Sequence, residues 1–261
     1  MTISLLESPT NHAKIEAHLE KLLPKEENDL LIEAMRYALL GPGKRLRPLL
    51  LLASAKTFGV ESDQLLNPAC AIEMVHAYSL IHDDLPCMDD DDLRRGRPTV
   101  HRVYGEAIAL LAGDALLTLA FEVLTLSSLE DSIKVKLIKC LATHAGKKGM
   151  VGGQAEECTG SKNFLKIFEQ KTGDLFSCSL EFGALLAQKE PETMRELGLI
   201  LGLMYQLSDD LEDGDGAFSK EETQNILQES TERFKRVSAS LPLGGTPLKE
   251  LVTKYMHYNI G

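Results

Sequence analysis

A chain of 261 residues, 44% of them hydrophobic, is long enough for one large domain with a substantial buried core, and a single domain over 1–261 is expected. Its net charge of −11, from 28 basic and 39 acidic residues, argues against a general affinity for nucleic acid or anionic lipid. Any anion it binds must therefore meet a local basic site. The cysteines Cys70, Cys87, Cys140, Cys158 and Cys178 are scattered singly, without CxxC spacing, which predicts a reducing, cytoplasmic setting and gives them no evident role. The opening "MTISLLESPTNHAKIEAHLEKLL" does not read as a signal peptide, having no basic start followed by an apolar core. The longest uninterrupted apolar run, Pro48 to Ala53, falls far short of the roughly 20 residues that span a bilayer, so no stable membrane insertion is expected.

In chain order, "NHAKIEAHLEKLL" places Ile15, Leu19, Leu22 and Leu23 at helical spacing, and "DLLIEAMRYALL" does the same with Leu31, Ala34, Met35 and Ala38. Helices are then predicted at "PLLLLASAKTFG", "PACAIEMVHAYSLIHDD", "ALLAGDALLTLAFEVL", "DSIKVKLIKCLATHAG", "NFLKIFEQKTGDLFSCSLEFGALLA", "ETMRELGLILGLMYQLSDDLED" and "ETQNILQESTERFKRVSASL", most bounded by Gly, Pro, Asn or Asp. No alternating strand is found. Several of these helices are apolar nearly all round and must be buried, which predicts an all-α bundle with a helix or two at its centre.

The stretch "HDDLPCMDDDDLRRGRPTVH" interrupts this pattern. Asp83 and Asp84 end an apolar helix, near the negative end of its dipole, where anions are unfavourable. Asp89 to Asp92 add to the repulsion, which solvent or hard divalent cations must relieve. A solvated acidic loop is the usual meaning of such a run, but a second cluster, "YQLSDDLEDGDG", puts Asp209, Asp210 and Asp213 on one side of another apolar helix. Two such clusters look like facing walls of one site. Carboxylates with open water positions suit Mg²⁺, and neither cluster fits a calcium loop, whose sixth-position Gly is missing. Phosphate ligands would account for the cations: Arg94 and Arg95 follow the acidic loop, and "GPGKRLRP" supplies Lys44, Arg45 and Arg47 on a turn that lacks the nucleotide P-loop pattern.

These residues resemble the trans-type prenyl diphosphate synthases. The resemblance runs through "GKRLRP", "HAYSLIHDDLPCMDDDDLRRGRPTVH", "LLAGDALL", "GMVGGQA", "KTG" and "YQLSDDLED" in family order, so that 1–261 resembles one polyprenyl synthase domain. It implies an all-helical fold, a homodimer, three Mg²⁺ ions and head-to-tail condensation of an allylic diphosphate with isopentenyl diphosphate. Carried over to this chain, it gives Asp83 and Asp89 to two Mg²⁺ ions and Asp209 to the third, with Asp84 and Asp213 in support. Arg94, Lys171, Thr172 and Gln206 would hold the allylic diphosphate or orient its metals, and Lys44, Arg47, His76 and Arg95 the isopentenyl diphosphate. His76 taken alone would be a core histidine; the surrounding motif reverses that reading.

Tyr78 and Ser79 lie five and four residues before Asp83, one helical turn along the tail's path, and an aromatic floor there resembles farnesyl-forming members. The spacing "DDLPCMD" is shared by bacterial farnesyl-type and plant geranylgeranyl-type enzymes. The chain departs from the family after "DDLEDGDG", where "AFSKEETQNIL" with Lys220 stands in place of a basic, Gly-containing closing loop, and the loop after "GGQAEE" is short. Alternatives are a terpene cyclase, which needs no second diphosphate site, and a non-catalytic partner subunit, which would have lost part of the first aspartate motif.

Overall fold

The computed structural model describes residues 9–214 and 216–256. They fall into two compact units, one made of the described residues within 9–48 and 63–130 and the other of those within 49–62 and 131–256. Both are helical, as the periodicity requires.

The first unit contains α1 (Pro9–Leu22), α2 (Leu30–Leu39), the first residues of α3 (Leu46–Thr57), α4 (Leu66–Asp83), strands β1 (Leu93–Arg94) and β2 (Arg97–Pro98), α5 (Val100–Tyr104) and α6 (Glu106–Thr125). Asp29 caps α2 by accepting the amide of Ile32 at 3.0 Å. Helix α4 is buried along nearly its whole surface, from Ala69, Cys70 and Ile72 through Met74 and Val75 to Ile81, as its lack of a polar face predicts. The one acid in this stretch, Glu73, is met by Arg45 at 3.0 Å. Arg45, 4% exposed, also donates to Glu16 and to the Gly41 carbonyl, so the middle cation of "KRLR" is a structural one.

Contrary to the strand-free expectation, a two-residue antiparallel ladder pairs Leu93 with Pro98 and Arg94 with Arg97. Arg95 and Gly96 have φ of 54° and 74°, and positive φ at both central residues is what a tight hairpin turn of matching twist requires. The ladder is too short for period-two patterning to show.

Helix α6 packs along α4. A Cβ on Gly113 would come within 2.2 Å of the His82 ring, so the close approach of these helices depends on that glycine. Counting uninterrupted apolar runs underrated α6, because isolated charges at Glu106, Asp114 and Glu122 break its run: by length and composition it is the one helix among the described residues able to cross a membrane. Here its Ala109, Ala112, Leu116, Ala120, Val123 and Leu124 are buried in protein.

The second unit holds the rest of α3, then α7 (Asp131–Ala145), α8 (Met150–Cys158), α9 (Phe164–Phe168), α10 (Asp174–Leu186), α11 (Glu192–Asp213), α12 (Lys220–Ser238) and α13 (Thr246–Met256). The single helix predicted from Asn163 is interrupted by a wide turn at Glu169–Gly173, the segment containing "KTG". Backbones nearly touch there: a Cβ on Gly202 of α11 would lie 2.3 Å from Gly173 Cα. Ser219 and Glu222 form a reciprocal cap at the start of α12. Neither α8, with its paired glycines, nor the C-terminal α13 was expected.

Candidate functional site

In the first unit, α4 ends at Asp83, and the chain turns so that the Asp89 amide donates to the Asp83 carbonyl at 2.9 Å. That turn returns Asp89 to the helix end despite Pro86. The carboxylates differ in circumstance. Asp84, 3% exposed, accepts from Arg94 Nε at 2.8 Å, and Arg94 reaches Asp91 at 3.0 Å. Burial pushes the Asp84 carboxyl up, with Arg94 opposing, while its carboxylate partner raises the already basic Arg94 against the cost of burial. Asp92 pairs with Arg102. Asp83 is half-buried and Asp89 exposed, so this cluster offers hard carboxylate oxygens with solvent access, a donor set that fits Mg²⁺ and would not favour a softer metal.

The basic residues gather beside it. Arg47 and His76, 29 residues apart in sequence, meet at 3.3 Å. Burial, followed by the fields of Arg47 and Arg95, holds the His76 pKa well below its usual 6.5, so the ring is neutral and can accept from Arg47. Arg95, exposed, donates to the Pro42 carbonyl at 2.7 Å, fastening the hairpin to the "GPGKRLRP" loop, on which Lys44 is exposed. His76, Arg94, Arg95 and Arg97 line one cleft whose remaining wall includes the apolar Leu80 and Ile81. Arg97, the third arginine of "RRGRP", to which the sequence pattern assigns no role, lies 4.1 Å over the Tyr37 ring. Tyr78 is 6% exposed and sits edge-on to His82 with centroids 5.7 Å apart, outside the lining of this cleft. The Ser79 hydroxyl donates back to the His76 carbonyl at 3.0 Å.

In the second unit, the Thr172 hydroxyl donates to Gln206 Oε1 at 3.1 Å and Gln206 Nε2 donates to Asp210 at 2.9 Å. The wide turn at "KTG" is what brings Thr172 level with α11. Lys171 pairs with Glu157 of α8 at 2.5 Å. Asp209 is half-buried near the end of α11. The Asp213 side chain, expected to support it, lies outside the described part of the structure.

The family model described as polyprenyl synthetase matches residues 28–227. The farnesyl diphosphate synthase of Geobacillus stearothermophilus is 44% identical over 221 residues, 79% of this chain and 74% of that protein. Geranylgeranyl pyrophosphate synthase 4 of Arabidopsis thaliana is 43% identical over 75% of this chain and 56% of its own length. The chain thus spans about three quarters of the bacterial relative and little more than half of the plant one. Among solved structures, an FPP/GFPP synthase from Zymomonas mobilis superposes with a TM-score of 0.89 at 35% identity, covering 98% of each chain.

Proposed function

Because the chain belongs to the polyprenyl synthetase family, we propose that it condenses isopentenyl diphosphate head to tail with dimethylallyl or geranyl diphosphate to give farnesyl diphosphate. The observation that carries this reading is the cleft of four guanidinium groups, of which Arg45 is held by Glu16 and Glu73, and a neutral histidine with an apolar wall, next to a carboxylate-rich helix end. A diphosphate with a short hydrocarbon tail has this pattern in complement.

Lys44, Arg47 and Arg95 take the isopentenyl diphosphate as charge-assisted hydrogen-bond donors, and neutral His76 orients Arg47 without adding a charge of its own. Arg94, with Lys171, Thr172 and Gln206, serves the allylic diphosphate. Asp84 holds the Arg94 guanidinium in place. Asp83, Asp89 and Asp209 would hold the metal, three Mg²⁺ ions in all. Bound Mg²⁺ would neutralise charge collecting on the leaving diphosphate. The allylic carbon–oxygen bond ionises to an allylic cation and inorganic diphosphate; the isopentenyl alkene attacks the cation, and the resulting carbocation loses a proton to the departing diphosphate. The protein supplies no nucleophile, so its contribution is positioning and exclusion of water. Tyr78, with Ser79 beside it, is the floor that limits the tail to fifteen carbons.

The family match extends across residues of both compact units, which supports taking 1–261 as one polyprenyl synthase domain. Exposed Val103, Leu110 and Leu111 supply apolar surface for a homodimer, and the five uncrosslinked cysteines are in keeping with the cytoplasm. Incubation with isopentenyl diphosphate, geranyl diphosphate and Mg²⁺, with products read by mass spectrometry, should give the fifteen-carbon diphosphate. Absence of any condensation product rejects the reading. A geranylgeranyl product is the second reading, favoured by the plant relatives.

A further inference from the structure

Helix α7 carries Cys140 and His144 four residues apart, and α10, packed against it, carries Cys178 and Glu181 three apart. Each spacing puts its two residues on one helix face. Glu181 is 2% exposed and His144 5%, in a unit whose other buried polar side chains, among the described residues, are serines and threonines. The sulfur of Cys140, a ring nitrogen of His144 and a carboxylate oxygen of Glu181 all lie within 4.8 Å of one another. His144 Nε2 is 2.9 Å from Glu181 Oε1, and the Cys140 thiol donates to Oε2 at 3.6 Å. Cys178, fully buried, adjoins Cys140 on the α10 side. None of these residues has a part in diphosphate or Mg²⁺ binding.

We propose that Cys140, His144 and Glu181 form a binding site for a borderline divalent metal of the zinc class, linking α7 to α10. The donor set is mixed sulfur, nitrogen and oxygen, which suits Zn²⁺ or Co²⁺ and disfavours Mg²⁺. In a tetrahedral site ligand atoms stand ~3.3–3.8 Å apart; the 3.6 Å Cys140–Glu181 contact already has that spacing, and the 2.9 Å His144–Glu181 contact needs only to open slightly as the ion replaces the bridging proton.

The surroundings match a metal's second shell. His144 Nδ1 lies 2.5 Å from Asp174 Oδ1, which fixes the tautomer that leaves Nε2 for a metal. Arg195 donates from Nε and Nη2 to the two Glu181 oxygens at 2.7 and 2.9 Å, orienting the carboxylate. Charge also balances. A divalent ion replaces two protons, one on the His144 imidazolium and one on the Cys140 thiol. Together with Glu181, Asp174 and Arg195, the cluster is formally neutral both before and after the exchange.

The test is a Co²⁺ titration of the full reduced chain, stripped of metal and held in excess Mg²⁺ to occupy carboxylate sites. One equivalent should produce tetrahedral d–d bands and a thiolate-to-cobalt charge-transfer band. Cys140→Ser should remove half or more of the charge-transfer band, while Cys87→Ser and Cys158→Ser, which change exposed thiols, leave it intact. Asp174→Asn should keep the spectrum and weaken binding by about 10- to 100-fold. A wild-type chain without the band, or a band at full strength in folded Cys140→Ser, overturns the proposal. Cobalt-edge X-ray absorption of the wild-type protein gives a check that needs no variant: a first shell without sulfur overturns it as well.

Discussion

Replacing Tyr78 by alanine removes a phenol ring that is 6% exposed and packed edge-on against His82, one turn before Asp83. Truncation of a buried aromatic costs about 3–5 kcal/mol in stability, and burial, then Asp83, raises the Tyr78 hydroxyl's pKa, so it stays protonated. In the floor role proposed for Tyr78, the space created lies on the path of the growing tail. Five further carbons entering it would gain about 0.8 kcal/mol each, so about 4 kcal/mol as an upper figure. That gain is comparable to the stability lost and accrues only when a longer product is bound. Tyr78→Ala should therefore melt at a lower temperature yet shift products from fifteen to twenty carbons or more, with Mg²⁺ dependence unchanged. The assay is mass spectrometry of diphosphate products, run below the variant's melting temperature with helicity checked by circular dichroism. If the folded variant stops at the wild-type length, Tyr78 is ordinary core packing and the assignment of a farnesyl product loses its main support.

Asp83→Ala or Asp89→Ala should abolish turnover while far-ultraviolet circular dichroism stays unchanged, since each removes a repelling carboxylate; near-normal rates at saturating Mg²⁺ would contradict the assignment. Arg95→Ala should raise the KM for isopentenyl diphosphate with little change in melting temperature, because Arg95 is exposed. Arg94→Ala should also cost about 2 kcal/mol of stability by leaving Asp84 buried and unpaired, less than for a fully buried pair because Arg94 keeps 35% of its side-chain exposure; chemical denaturation distinguishes the two. His76 has a depressed folded pKa, so below pH 6.5 the unfolded chain binds a proton that the folded chain refuses, and stability falls as pH drops. The slope from this one group is at most about 1.4 kcal/mol per pH unit, and His76→Gln should flatten the stability profile between pH 6.5 and 5 by up to that amount.

The sequence by itself determined the helical fold, the two aspartate-bearing helix ends and the family, because all three are written in short-range patterns: apolar spacing, carboxylates three and four apart, and contiguous motifs. It did not show which charges of a motif are structural. Within "KRLR", Arg45 is buried against Glu16 and Glu73 while Arg47 reaches His76, and consecutive positions alone cannot tell them apart. Asp84 and Asp89 read alike as acids, yet one is held by Arg94 and the other is open to solvent. Nor could the scattered cysteines be given a place: Cys140 and Cys178 read as isolated residues until α7 packed on α10 and brought them together with His144 and Glu181. Only the tertiary structure decided these matters, since burial and pairing depend on residues distant in the chain, whereas helix formation depends on neighbours within a turn or two.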